Sequence, residues 1–335
     1  LRIADQRILV TGADGFIGSH LTQRLVEGGA KVTALALYNS FDRFGWLDAL
    51  APEIRGALTL LRGDVRDGPF MLRAAEGCDL VFHLAALIAI PHSYVAAQSF
   101  VEVNVGGTLN VLEAARRHAV GRLVHTSTSE VYGTARTTPI DEAHPLQAQS
   151  PYAASKIAAD SLVEAYARSF SVPAVILRPF NTFGPRQSER AVIPTIIRQA
   201  LDRRCAAIRI GDATPVRDFS YVGDTVEAFL AVATAGAVEF GTVYNSGSGR
   251  PTSVAEVVQL VLRRTGGEKP VETDSQRIRP EQSEVRLLLA DAGRLTRTTG
   301  WRPRVSLEEG LERTIGWWRD QFAADRVRPD AGYST

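Results

Sequence analysis

Arg7-Ile8-Leu9-Val10 is a short apolar run, and Thr11-Gly12-Ala13-Asp14-Gly15-Phe16-Ile17-Gly18 follows it without a break. Leu21, Leu25 and Val26 then recur at helical spacing. A buried parallel strand that turns on glycine into a helix leaves few folds open, because parallel strands need crossover helices that cover the sheet. Gly12 permits the tight turn, Gly15 lets backbone approach a bound pyrophosphate, and Gly18 allows close helix packing. The helix start, with the backbone of Asp14, Phe16 and Ile17, offers N–H groups and the positive end of the dipole to an anion. A dinucleotide cofactor is the expectation.

The alternation of strand and helix continues. Lys31 to Leu37 reads as a second strand, Leu58 to Val65 as a third ending in a carboxylate, and Asp79 to Ala86 as a fourth. Asn104 to His118 is an amphipathic helix, Gly121 to Thr126 the next strand, and Val175 to Leu177 a sixth. Ser150-Pro151 opens a helix as N-cap and first-turn proline. The expected fold is α/β, a Rossmann-type doubly wound parallel sheet with a smaller C-terminal α/β substrate lobe. Residues 1–178 mainly form the dinucleotide-binding part and 179–330 mainly the substrate lobe, with some crossing of the chain between them. Helices at Val254 to Arg264 and Leu307 to Trp318 close the chain, with Trp317 and Trp318 as packing residues. Gly211 to Phe219 and Arg279-Pro280-Glu281 read as loops presenting guanidinium groups, which suit a diphosphate.

At position 36, where an aspartate would hold the adenosine ribose, the chain has alanine; Tyr38, Asn39, Ser40 and Arg43 follow. Asn39 and Ser40 are taken as cofactor contacts, and Arg43 leaves NADP open beside NAD. Asp64 and Val65 offer an acceptor and an amide to adenine. Leu84, Ala85 and Ala86 end the fourth strand in small residues that let backbone approach the cofactor.

Composition excludes several classes. With 38 basic and 37 acidic residues, no nucleic-acid or anionic-membrane footprint is indicated. Cys78 and Cys205 match no disulfide framework or zinc spacing, and the six histidines form no ligand pair, so no metal site is expected. The longest apolar run, Leu84 to Ile90, is too short to cross a bilayer. No signal peptide is visible, and the expected location is the cytoplasm.

Chemistry concentrates in Ser127-Thr128-Ser129-Glu130 and in Tyr152-Ala153-Ala154-Ser155-Lys156. Tyr152 and Lys156 lie one helical turn apart on one face, and an adjacent ammonium makes a tyrosine easier to ionise. A phenolate takes the proton of a sugar hydroxyl while a bound nicotinamide takes the hydride. Thr128 supplies a hydroxyl for the same oxygen, Glu130 a second proton transfer, and Ser127 a structural contact.

The glycine turn, Asp64-Val65, His83-Leu84-Ala85-Ala86, the Tyr152/Lys156 pair, Arg178-Pro179-Phe180-Asn181, Arg217-Asp218-Phe219-Ser220-Tyr221-Val222 and Gly300-Trp301-Arg302-Pro303 together resemble the extended short-chain dehydrogenase/reductases. Thr128-Ser129-Glu130 is similar to the triplet of nucleotide-sugar 4,6-dehydratases, although the glucose type carries aspartate where this chain has Ser129. The strings Leu35 to Phe41 and Ala85 to Pro91 look most like the N-acetylglucosamine nucleotide 4,6-dehydratases of legionaminic acid biosynthesis. That resemblance implies NAD, a homodimer through the helices around 104–118 and 151–170, and a UDP- or GDP-N-acetylglucosamine substrate. It implies catalysis by Thr128, Ser129, Glu130, Tyr152 and Lys156: oxidation at C4, loss of water across C5 and C6, and return of hydride to C6. The substrate residues it implies are Asn181, Arg186, Val192, Arg217 and Arg279. The rivals are a UDP-glucuronate 4-epimerase or decarboxylase, and a non-catalytic NAD(P)-sensing protein.

Overall fold

The computed structural model describes residues 2–327, so the outer limits of the two expected segments, residue 1 and residues 328–330, lie outside the described residues. The first strands are β1 (Arg7–Thr11), β2 (Lys31–Leu37), β3 (Thr59–Gly63), β4 (Leu80–His83), β5 (Arg122–Thr126) and β6 (Ala174–Pro179). They are followed by β7 (Asn181–Phe183), β8 (Ile208–Ile210), β9 (Val216–Tyr221), β10 (Val243–Ser246), β11 (Pro251–Ser253) and β12 (Val271–Thr273). Seven of these form one sheet in the order β10-β6-β5-β4-β1-β2-β3, parallel at every pairing. The longer helices are α1 (Phe16–Glu27), α2 (Gly107–Arg117), α3 (Pro151–Phe170), α4 (Val192–Leu201), α5 (Val222–Thr234), α6 (Val254–Thr265) and α7 (Leu307–Ala323).

Both faces of the large sheet are covered. Ile8 and Val10 pack with Leu21, Leu25 and Phe229, while Leu9 between them joins Val111, Leu112 and Val163 on the opposite face. That is the two-residue period of a strand buried on both sides. The chain leaves β1 toward β2 and β3, then returns to β4 on the other side. The crevice at the carboxyl ends of β1 and β4 is therefore a topological switch point, where open α/β sheets receive ligands. Gly12 sits there at φ +68°, and a Cβ on it would come within 2.7 Å of the Ala85 amide nitrogen. A Cβ on Gly18 would stand 2.0 Å from the Gly12 carbonyl oxygen, so α1 packs on the turn only with glycine.

A three-stranded sheet (β11-β9-β7) and a two-stranded one (β12-β8) stand against a second core with Ile193, Ile197, Val257 and Trp318. Strand β10 and helix α5 return from this half to the large sheet and its core. Two expectations are corrected. Residues 104–118 are not one regular helix: Val101–Gly106 is wound as a π-helix before α2 begins. The wide turn carries Asn104, whose side chain accepts from the Leu87 N–H at 2.8 Å and donates to the Leu87 carbonyl and Ser155 Oγ, each at 2.9 Å. Arg217, expected on a loop, lies in the central strand of the three-stranded sheet. Its polar neighbour Asp218 reads as loop but is fully buried, because the Ser248, Gly249 and Ala290 amides and the Ser248 hydroxyl all donate to it.

Candidate active site

The crevice at the switch point fits a dinucleotide on its own geometry. Helix α1 starts at Gly15 with no side-chain cap, so its first amides remain available to an anion. Phe16 and Ile17 are half-buried beside them, and Asp14, whose carboxyl burial pushes up, accepts from the Trp46 N–H through its carbonyl at 3.1 Å. Across the crevice the Ala85 N–H donates to Thr11 Oγ1 at 3.2 Å, which holds Leu84, Ala85 and Ala86 against the glycine turn. The Asn39 amide accepts from the Phe41 and Arg43 N–H groups and donates to the Arg43 carbonyl, which braces the loop that carries Asn39 and Ser40. Asp64 is held by the Arg66 side chain, with Nε at 3.0 Å and Nη2 at 2.6 Å from its Oδ2, and this contact keeps the carboxyl below its ordinary range. Val65 is buried next to it.

Helix α3 begins as the sequence predicts. Ser150 Oγ accepts from the Ala153 N–H at 3.1 Å, with Pro151 in the first turn. Tyr152 and Lys156 are both buried on one face, and the tyrosine ring meets Phe100 edge-on. The expected depression of the tyrosine pKa by the lysine is corrected. Burial raises the Tyr152 pKa; a hydrogen bond with Thr128 works the other way, and the charges of Glu130 and Asp160 add to the rise. The physical reason is the burial of the phenol; the Lys156 ammonium, whose Nζ donates to the Thr126 carbonyl at 2.5 Å, is not among the charges that act on it. Burial in turn pushes the lysine down to about 8, with Asp160 opposing.

Thr128 caps a short turn over Ser129–Tyr132, accepting from the Glu130 N–H at 3.2 Å, and Ser129 is buried within it. Glu130 is half-buried, and its charge acts on both the Tyr152 hydroxyl and the Arg217 guanidinium. Ser127 points away and donates to Asp160 at 2.7 Å, a structural contact as expected.

On the facing side, Arg217 Nη2 donates to Glu284 Oε1 at 2.9 Å, and Arg279 Nε lies 3.7 Å from Glu284 Oε2. Arg279 Nη1 and Asn181 Oδ1 are buried with no hydrogen-bond partner, as groups awaiting a polar ligand would be. Asn181 pairs in register with Phe219, two residues from Arg217. The segment carrying Arg279 and Glu284 is tied to the large-sheet half: Ser283 Oγ bonds the Tyr94 hydroxyl and the Gln149 carbonyl, and Gln149 Nε2 donates to the Gln282 carbonyl at 2.9 Å. Arg186 is not gathered with this group. Its guanidinium is committed to α1, through Gln23 Oε1 at 2.8 Å and Ser19 Oγ at 3.4 Å. Val192 opens α4 and packs on the smaller core.

Sequence reasoning missed Asn104, Asp160 and Glu284. Asp160 had a signal, since it lies one further turn past Lys156; Glu284 and Asn104 had none. Among the described residues, no group of three His, Cys, Asp or Glu side chains is placed to hold a metal.

The GDP-mannose 4,6 dehydratase family matches residues 9–314. The chain is 35% identical over 326 residues to the dTDP-D-glucose 4,6-dehydratase of Mus musculus, covering 95% of this chain and 90% of that protein. It superposes on the dTDP-glucose 4,6-dehydratase of Streptomyces venezuelae, solved with NAD and TYD bound, at TM-score 0.85 and 31% identity, over 95% of this chain and 98% of the other. The UDP-glucose 4-epimerase of Thermotoga maritima, solved with UDP-glucose, gives TM-score 0.84 at 29% identity, over 94% and 99% of the two chains.

Proposed function

The chain belongs to the GDP-mannose 4,6 dehydratase family of extended short-chain dehydrogenase/reductases, and from that premise we propose an NAD-dependent 4,6-dehydration of UDP- or GDP-N-acetylglucosamine. In this reading residues 1–178 mainly hold the cofactor and 179–330 mainly the nucleotide sugar. The observation that carries it is the turn Ser129–Tyr132, capped by Thr128, which packs on α3 and so brings the half-buried Glu130 to the helix that holds Tyr152 and Lys156. An alcohol-oxidising pair and a spare carboxylate thus share one crevice.

The dinucleotide, held by Gly12 to Gly18, Ser40, Asp64-Val65 and Leu84 to Ala86, supplies a two-electron acceptor and donor, with a positively charged ring that favours a phenolate. Tyr152 takes the proton of the C4 hydroxyl, Thr128 holds that oxygen, and Lys156 orients the nicotinamide ribose. The ketone at C4 acidifies the proton on C5. Glu130 removes it as general base and gives it to the C6 hydroxyl, which leaves as water. The C5–C6 double bond left behind regains the hydride equivalent at C6 and, through Glu130, a proton at C5 that balances the one Tyr152 took from the C4 hydroxyl. Ser129 is too weak an acid for that step and is left to shape the turn. Arg217 and Arg279 supply guanidinium forks for the diphosphate, and Asn181 a polar contact beside them.

The N-acetylglucosamine substrate is supported by the strings Leu35 to Phe41 and Ala85 to Pro91, while Ser129 in place of an aspartate speaks only against the glucose type. A homodimer is supported by the exposed apolar side chains Leu109 on α2 and Phe170 on α3. No helix of the described residues is long and apolar enough to cross a membrane. The likeness to an epimerase keeps C4 epimerisation as the second reading.

The test is incubation with UDP-N-acetylglucosamine, GDP-N-acetylglucosamine and UDP-glucuronate in the presence of NAD or NADP, followed by mass analysis. Loss of one water from an N-acetylglucosamine nucleotide is the expected result. Unchanged mass with altered retention points to the epimerase, and loss of carbon dioxide to a decarboxylase.

A further inference from the structure

Tyr152, Lys156 and Asp160 occupy successive i, i+4 positions on α3, so all three line one face, each nearly fully buried. Asp160 Oδ2 accepts from Arg178 Nε at 3.0 Å, from Arg178 Nη2 at 2.8 Å and from Ser127 Oγ at 2.7 Å. Its Oδ1 makes no hydrogen bond and faces His125 Nε2 at 3.4 Å. An ionised carboxylate this deep is costly unless its charge is answered, and the reaction above makes no use of it. We propose that Asp160 is a positioning residue for the Tyr152–Lys156 pair: it is the buried counter-charge that keeps Lys156 an ammonium and seats it on the Thr126 carbonyl. This rests on the reading of Tyr152 and Lys156 as the oxidising pair.

The groups facing Asp160 come from three elements. Helix α3 contributes Lys156 and Tyr152, β5 contributes His125, and β6 contributes Arg178, whose far side donates to the Tyr132 hydroxyl at 3.0 Å. His83 on β4 lies behind His125, with ring centroids 5.5 Å apart. Burial pushes His125 down to about 4 and His83 well below its ordinary value, so both rings are neutral near pH 7. Arg178 and Lys156 are then the cations of this cluster. Burial would push the Asp160 carboxyl up, but its contacts with His125, Arg178 and Ser127 outweigh that and hold it ionised. Arg178 keeps its proton in any setting. Lys156 is the cation that burial discharges, and Asp160 is the charge that opposes the loss.

The test is the pH dependence of bound-cofactor reduction in a single turnover of holoenzyme, for wild type, Asp160→Asn and Asp160→Glu. Asp160→Asn should move the alkaline limb down by about one pH unit and lower turnover about fivefold at the pH where Lys156 of the wild type is half titrated. Asp160→Glu keeps the charge and should restore the limb. An Asp160→Asn profile with wild-type limbs and only reduced amplitude overturns the proposal. If that variant does not fold, Asp160→Asn/Arg178→Gln removes the pair together. Asp160 shares the helix face with Lys156 whereas Arg178 reaches in from β6, so the limb should still move down, by less than in Asp160→Asn, and an unmoved limb overturns the proposal. Should wild type reduce no cofactor with any nucleotide sugar, the functional reading fails by itself. The pH dependence of NAD binding, followed by tryptophan fluorescence, then decides: a shifted alkaline limb in Asp160→Asn supports the role, and an unmoved limb overturns it.

Discussion

The crevice has two walls built on different principles. One is α3 with the end of β5: a 20-residue helix, side-chain capped at its start, that buries Tyr152, Lys156 and Asp160 along a single face. The other is Arg217 on β9 with the segment around Arg279 and Glu284, two short 3₁₀ turns at Ser275–Arg277 and Glu281–Ser283 with no buried residue in either. Side-chain hydrogen bonds from Tyr94 and Gln149 tie the 279–284 segment to the first wall, while its buried anchor, Val285, comes only after Glu284 and packs with Val131, Tyr132 and Phe180. Precise chemistry needs groups on rigid elements, whereas recognition tolerates a segment of low local stability. Damage to the first wall should therefore appear in kcat and damage to the second in KM.

Tyr152→Phe gives the largest effect. Removing a general base costs about 10²–10⁴ in rate, so kcat should fall about a thousandfold while NAD affinity holds. A variant that instead kept kcat and raised KM would break the contrast at once. Glu130→Gln comes next, with dehydration falling about a hundredfold. Its signature is qualitative: cofactor reduction at C4 persists, while deuterium exchange at C5 in heavy water stops. Exchange at the wild-type rate would remove Glu130 from the reaction.

The same contrast explains what could be read from sequence. Tyr152 and Lys156 were legible because helical spacing is local, and the strands of the large sheet because apolar runs between glycine turns carry their own signal. Gly18 was legible because its close approach to the Gly12 carbonyl occurs within one supersecondary unit, whereas the approach of Gly12 to Ala85 joins the ends of β1 and β4 and shows only in the folded sheet. The lowered tyrosine pKa was misread: spacing gives the direction of Lys156 but not its tether to Thr126, nor the burial of the phenol. Arg217 looked like loop because its strand alternates with polar residues whose partners come from 30 and more residues away. Arg186 was read as a substrate contact, and its guanidinium lies on Ser19 and Gln23, a placement made by tertiary packing alone.

Arg217→Ala probes the second wall. It removes the guanidinium proposed for the diphosphate and leaves Glu284 without its 2.9 Å partner. Losing a charge-assisted hydrogen bond is worth about 1.5–3 kcal/mol, so KM should rise roughly tenfold to a hundredfold with a smaller change in kcat. Steady-state kinetics on the nucleotide sugar checks this. A fall in kcat larger than the rise in KM would place Arg217 with the chemistry, beside Glu130, and blur the division between the walls.

The smallest effects sharpen the comparison most, because they leave every reacting group in place. Ser150→Ala removes the cap on the Ala153 N–H and should cost about 1 kcal/mol. For a chain of this size that lowers Tm by about 2 °C. The first turn it loosens carries Tyr152, so kcat should drop a few-fold with KM steady. Ser283→Ala cuts the links to Tyr94 and Gln149 at a half-exposed position, where stability changes stay within about 0.5 kcal/mol. There KM should rise a few-fold with Tm unchanged. Thermal melts and steady-state kinetics on both variants give a crossed pattern if each wall answers to its own kind of force. Parallel changes in the two variants would mean that α3 and the 279–284 segment move as one unit, with the hydrogen bonds through Gln149 as their coupling.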